Sequence, residues 1–264
     1  MPAQPIFRRM MSPSYLPEAK ALFSAMTLQP SGARKSLIDR TIRSLKAGGV
    51  WSALDALYVT AAHDEQAAKI NWKDPGTYDL TAVNSPTFTT DRGFAGDGST
   101  SYLKTGFNPA TAGGNFAAAD GHASAWSLTS RATAVYNSLI GAQDGTKFIQ
   151  IGLNWPGANS SFRINDAGGL LNGYTTTDGH FVEDRVADTK AAYRNTTNLS
   201  APAAANNGLV SLELYIGARN SSGTPDQYST DQIASATIGG GLGTDRVAAL
   251  YDALNTYMGE VGAV

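Results

Sequence analysis

The residue types that do chemistry are sparse in this chain and are rarely spaced to act together. There are five glutamates, Glu18, Glu65, Glu183, Glu213 and Glu260. Hydrolysis of a glycosidic bond needs two carboxyls about 5–5.5 Å apart for retention of configuration, or about 6.5–9.5 Å apart for inversion. Glu183 and Asp184 are adjacent, so a strand would point them to opposite faces, and Glu213 has no carboxylate two residues away. His63, His122 and His180 each stand alone with no H-x-x-x-H spacing, and no cysteine is present to supply a thiolate. No Gly-x-Ser-x-Gly elbow presents a serine nucleophile. Gly239-Gly240-Gly241-Leu242-Gly243-Thr244 follows a strand pattern and opens a helix. It lacks the lysine of a phosphate loop, and Thr244 stands where a dinucleotide fingerprint needs glycine. No catalytic residue, metal or cofactor is therefore expected. Asp97, Asp144 and Asp166 beside glycines read as Asx turns, with calcium ligation as the alternative.

A saccharide is the ligand for which side chains are best supplied. Sugar rings have an apolar face and a polar rim, so their sites pair an aromatic platform with amide and carboxylate hydrogen-bonders. Asn154-Trp155-Pro156-Gly157 puts a large aromatic in a turn, and Tyr174, Asp178 and His180 follow in a polar loop. The expected glycan site is Asn154, Trp155, Tyr174, Asp178 and His180. In the plainer alternative, Trp155 merely covers the edge of a sheet.

Such residues need a scaffold, and from Trp72 onward the pattern is that of short strands. Candidate strands are Thr87–Thr90, Ser101–Thr105, His122–Leu128, Ser138–Ala142, Phe148–Leu153, Ser161–Asn165, Gly179–Val186, Lys190–Arg194 and Leu212–Ala218, with a further one at Gln232–Ile238. Gly, Asn and Asp separate them, as turns that need φ > 0 require. So many strands without intervening helices predict antiparallel pairing in a β-sandwich. In Leu212–Ile216 the alternation turns Leu and Ile inward, Glu213 and Tyr215 outward. A final helix is expected from Thr244, with Thr244 as N-cap and Val247, Leu250, Tyr251, Leu254 and Met258 on one face.

The N-terminal part differs. Pro2, Pro5, Pro13, Pro17 and Pro30 leave room for a helix only at 17–26, and residues 1–30, with Arg8 and Arg9, read as an extended basic assembly arm. Residues 31–72 read as a helical module. Leu37, Ile38, Ile42 and Leu45 recur at helical spacing, Trp51, Leu54 and Tyr58 suggest a second helix, and Asp64 caps a third ending at Ile70. Residues 73–264 form the sandwich and its C-terminal helix. The first 48 residues carry eight basic side chains against Glu18 and Asp39, a net +6, so the remainder holds −8 of the total of −2. Such asymmetry suggests different partners for the two ends. No apolar run of about 18 residues predicts membrane insertion, and a nucleic-acid partner is not expected.

Asp91–Leu103, containing Phe94-Ala95-Gly96-Asp97-Gly98, resembles the opening of laminin-G and concanavalin A-like modules, in which an aromatic and a Gly-Asp-Gly turn lead into a strand. Ala192-Tyr193-Arg194-Asn195 followed by Leu199 resembles their hairpin, and Leu214–Asn220 their late strand. Together with the lead-in Gly49–Tyr58, over roughly residues 34–260, this order is similar to a family of bacteriophage virion proteins of the tail or minor structural kind. The resemblance implies a mainly β, concanavalin A-like antiparallel jelly-roll sandwich with an N-terminal helical module and a C-terminal helix. It implies a structural protein of the virion, synthesised in the host cytoplasm, docked on other virion proteins through its arm and helices, and self-associating, with a trimer as the expected state. Recognition of a host-surface glycan during adsorption is the alternative, and a polysaccharide-degrading glycosidase the third reading. Glucanases of this fold set Glu, Asp and Glu at alternate positions on one strand; that repeat is missing here, so the chain is expected to be non-enzymatic.

Overall fold

A computed structural model of the protein describes residues 14–264, so Arg8 and Arg9 lie outside the described residues. Helix α1 (Pro17–Ala25) begins on a proline, whose missing N–H is an orphan donor at that position in any case, and buries Ala19, Leu22 and Phe23. Helix α2 (Gly32–Ala47) is capped by Ser31, whose hydroxyl accepts from the Arg34 amide at 3.2 Å. Leu37, Ile38, Ile42 and Leu45 are its buried stripe.

The second expected helix is a strand. β1 (Leu54–Tyr58) pairs antiparallel with the last strand of the chain, Leu57 opposite Thr237 and Tyr58 opposite Ala236. Leu54, Ala56, Leu57 and Tyr58 are all buried. A strand covered on both faces reads as a continuous apolar run, which apolar residues at 51, 54 and 58 mimic as a helical stripe. The third helix shortens to a 3-10 turn, Ala67–Lys69, although Asp64 does cap it, accepting from the amides of Gln66 (3.0 Å) and Ala67 (3.3 Å).

Thereafter the chain runs through β2 (Thr81–Val83), β3 (Thr87–Thr89), β4 (Gly93–Ala95), β5 (Tyr102–Lys104), β6 (Gly121–Ser127), β7 (Ile140–Asp144), β8 (Lys147–Trp155) and β9 (Asn159–Asp166). It continues with β10 (Leu170–Asn172), β11 (Gly179–Val186), β12 (Thr189–Arg194), β13 (Thr197–Asn198), β14 (Tyr215–Ile216), β15 (Arg219–Ser221), β16 (Thr224–Asp226), β17 (Gln232–Gly239) and helix α3 (Gly243–Val261). The first sheet has the order β13-β12-β11-β6-β17-β4-β3, with β1 also on β17; the second has β10-β9-β8-β7-β14-β5-β2, with β15 on β7 and β16 on β15. Pairing is antiparallel except for the short β7–β15 contact. The fold is thus the expected mainly β sandwich.

Alternation along β11 divides two environments. Phe181 and Arg185 face the second sheet, touching Phe162 and Asp166. His180 and Asp184 face α3. There Trp126 of β6 stacks between His180 and Tyr251 of α3, at centroid distances of 5.3 and 5.5 Å. Thr244 is not the N-cap of α3. The Asp184 carboxylate, reaching over from β11, accepts from the amides of Leu242 and Gly243 at 2.8 Å each, and the Thr244 hydroxyl meets Tyr193 instead. Val247, Leu250, Leu254 and Met258 are buried as expected. Of the expected strand at Leu212–Ala218 only Tyr215–Ile216 is regular. Leu214 and Ile216 do point inward, but Tyr215, expected outside, is only 4% exposed because Tyr102 lies 4.5 Å from its ring. Packing crosses residues 30 and 72: buried apolar side chains form one continuous cluster from Ala19 in α1 to Ala263.

Candidate functional site

Trp155 ends β8, and it is not an open platform. It is 6% exposed, and its indole N–H donates to the Asn137 carbonyl at 2.9 Å. The cause is local. Pairing with β9 slips between Gly152 and Trp155, and the indole folds back over Gly152, where a Cβ would sit 2.5 Å from it. Asn154, in the left-handed region at φ 49°, is also buried. Its amide group donates to the carbonyls of Arg131 (3.1 Å) and Ala132 (3.3 Å), tying down the loop that leads to β7. That loop carries the aromatic that is exposed. Tyr136 shows 59% of its surface and stands edge-on to Trp155 with ring centroids 5.3 Å apart.

The other three residues of the expected site lie elsewhere. Tyr174 is half-buried against Phe162 and Phe181, and burial raises its phenol. Asp178 pairs with Arg194 at 3.1 Å in a separate cleft with Trp126, Tyr251 and Asn255. His180 is sealed beneath Trp126, where burial lowers its pKa to about 3 and keeps the ring neutral. Of the five expected ligands, Asn154, Trp155 and His180 are buried, Tyr174 is half-buried and Asp178 alone lines a cleft. Asp178 and His180 part because β11 begins at Gly179 and turns His180 under the helix.

Tyr136 forms one wall of a cleft of about 320 Å³ lined also by Gly98, Arg131, Thr133, Val135, Tyr228 and Thr230. Its floor is rigid and electrically compensated. Arg131 donates from Nε to Asp231 (3.2 Å), from Nη1 to the Thr133 carbonyl (2.7 Å) and from Nη2 to the Leu153 carbonyl (2.9 Å). The Asn137 amide holds the other Asp231 oxygen at 2.7 Å. Gly98 belongs to a turn closed by Asp97, whose Oδ1 accepts from the amides of Ser99, Thr100 and Ser101 at 2.7–2.9 Å. The Thr100 hydroxyl and these amides hold the Asp97 carboxyl well below the usual range. Asp97 is an Asx turn; Asp166 is in ion pairs with Arg185 and Lys190, and Asp144 accepts from the Ser211 hydroxyl. Among the described residues no group of three or more histidines and carboxylates is placed to hold a metal. What remains free at the cleft is an exposed phenol ring, a half-buried second one and the hydroxyls of Thr133 and Thr230. Tyr136 was within reach of the sequence as the lone aromatic in the run Arg131–Asn137; its pairing with Trp155 was not.

No family model matches this chain, and no curated protein matches it. Among solved structures, Trypanosoma rangeli sialidase in complex with sialic acid is similar at a TM-score of 0.55 and 11% identity, over 84% of this chain and 39% of that one. The same sialidase with 2,3-difluorosialic acid, as a covalent intermediate, gives 0.51 at 12% identity over 83% and 39%. An HCR/D mutant gives 0.51 at 10% identity over 77% and 53%. The chain spans about two fifths of the sialidase's length. The likeness shows the fold alone, a β-sandwich shared with part of the sialidase. It also corrects the expectation of a non-enzymatic chain. The sandwich is shared with a sialidase captured as a covalent intermediate, so a missing glucanase repeat does not separate this fold from enzymes.

Proposed function

We propose that the chain is a glycan-binding sandwich that takes saccharide on the exposed ring of Tyr136, displayed on a bacteriophage particle. One observation carries the binding site: an aromatic face held open to solvent by a buried indole, in a cleft that also offers hydroxyls. Stacking needs a ring that does not have to be ordered on binding, and Trp155 supplies that order beforehand. The fold's occurrence in carbohydrate-handling proteins supports the reading. Display on a virion, docking through the N-terminal arm and self-association rest on the sequence resemblance. In such a particle, single sites of about 10⁻³–10⁻⁴ M, or about 4–5.5 kcal/mol, gain from many copies acting at high effective concentration.

The test is titration of the purified chain with host-surface oligosaccharides, followed by calorimetry or by ligand-observed NMR. Tyr136→Ala should weaken binding by up to about tenfold, since aromatic contacts contribute about 0.5–1.5 kcal/mol beyond area, and should leave the melting temperature unchanged. Binding that survives this substitution at full strength would move the site away from this cleft.

A further inference from the structure

Where β9, β11 and β12 meet between the sheets, four ionisable side chains are shut away from water. The side chains of Lys190 and Arg185 are 1% exposed and that of Asp166 is 0% exposed. Lys190 Nζ lies 3.0 Å from Asp166 Oδ2 and 3.3 Å from Oδ1, and Arg185 Nη2 holds Oδ2 at 3.0 Å. Gly169 makes room for the amine: a Cβ there would sit 2.3 Å from Nζ. Glu183 is fully buried and neither of its carboxyl oxygens has a hydrogen-bond partner. On β11 it shares a face with Arg185 two residues on. The register sets Ala192 opposite Glu183 and Lys190 opposite Arg185, which makes Lys190 the diagonal neighbour of Glu183. Burial pushes the Glu183 carboxyl well above the usual range, which favours its protonated form.

An amine in contact with a carboxylate in a dry interior, beside an unpartnered acid, is a poor way to store charge, because desolvation of both ions offsets their attraction. It is a good arrangement for removing it. We propose that Lys190 and Asp166 join in an intramolecular isopeptide bond, with Glu183 as the proton relay. The ammonium first passes a proton to Asp166 Oδ1, leaving a neutral amine and a neutral acid. Nζ then attacks Cγ, and the negative charge that develops on Oδ2 is held by Arg185. Glu183 gives its proton to the departing Oδ1 hydroxyl and recovers one from the nitrogen. One C–N bond forms, one C–O bond breaks, one water leaves, and Glu183 ends as it began. No oxidant or outside reagent takes part. The bond would fasten β9 of one sheet to β12 of the other in a chain without cysteine.

The decisive measurement is the intact mass of the purified full-length chain, with mapping of its proteolytic peptides. The expected mass is lower than that of the sequence by one water, and a branched peptide should link Lys190 to Asp166. Asp166→Ala and Lys190→Arg should have the full mass of their sequences. Glu183→Gln, shown to be folded by circular dichroism, should also retain the water. Folded wild-type protein at full mass overturns the proposal, as does a missing water without the branched peptide. A cross-linked Glu183→Gln removes the relay role. Should that variant fail to fold, the wild-type mass and peptide map decide the question alone.

Discussion

His122 and His180 stand at the two ends of a buried chain of hydroxyls under α3. His122 Nδ1 donates to the Gly240 carbonyl at 2.6 Å, which leaves Nε2 to accept from Thr237 (3.0 Å). Thr237 in turn accepts from Ser124 (2.6 Å), and Ser124 from His180 Nε2 (3.1 Å). This order needs a neutral His122, whose Nε2 must accept, and burial disfavours charge on both rings, lowering His122 to about 4 and His180 to about 3. Folded pKa values below the unfolded value of about 6.5 mean that the unfolded chain binds more protons in that window. The stability is thus complete above about pH 6.5 and is lost as pH falls through 4 and 3. Denaturant midpoints should fall steadily between pH 6.5 and pH 4, and His122→Asn should flatten that fall; an unchanged midpoint at pH 4 would refute the coupling. Leu214 and Glu213 differ by environment. Leu214 is fully buried, so Leu214→Ala should cost about 2–5 kcal/mol. Glu213 sits at the surface beside Lys104 at 3.7 Å, and its replacement by Ala should cost under about 1 kcal/mol. Thermal melts of the two variants read the difference directly.

At the scale of elements, two single residues set geometry for a whole segment. Asp184 closes the start of α3 from another strand, and Asp184→Ala should cost about 0.5–2 kcal/mol, the usual range for a lost cap. Hydrogen exchange should then speed up at Leu242 and Gly243, and not in β11. Gly152 gives Trp155 its seat: Gly152→Ala drives a methyl to 2.5 Å from the indole and 2.6 Å from the Asn137 carbonyl. Overpacking of this kind costs about 1–3 kcal/mol. Because Tyr136 leans on the indole, the same change should weaken saccharide binding; titration of a folded Gly152→Ala chain with undiminished affinity would show that the platform is independent of Trp155. Neither residue's role could be read locally, since each contact spans a turn or a sheet.

The whole molecule is held across the borders that composition suggested. β1 lies in the first sheet with four buried apolar residues, and Tyr257 of α3 hydrogen-bonds the Ala61 carbonyl at 3.1 Å. A chain beginning at Lys73 loses β1, α1 and α2 together and uncovers β17 and one side of α3. Such a shortened chain should fail to give a cooperative thermal transition. The basic character of the N-terminal part is also spent inside the molecule: Arg40 pairs with Glu260, Arg43 with Asp39, Lys46 with Glu18 and Arg34 with Asp91. Arg43–Asp39 lies within α2, and the other three pairs bind α2 to α1, α3 and the turn between β3 and β4, so the charge asymmetry of the sequence is largely a packing device in the described residues.

What the sequence determined alone is what depends on neighbours along the chain. The α2 stripe, the Asp64 cap, the strand at Gly179–Val186 to the residue, the separation of Glu183 from Asp184 and the Asx turn at Asp97 all follow from period, capping and turn chemistry within a few residues. What the tertiary structure decided is everything that depends on which faces are covered. Leu54–Tyr58 became a strand because β17 offered a partner, and Trp155 went inside because Gly152 left it space. Asp184 became a cap and Lys190 the partner of Asp166 because distant strands brought them there. Burial and long-range pairing are sums over the whole fold, and a local pattern of residue types carries no record of them.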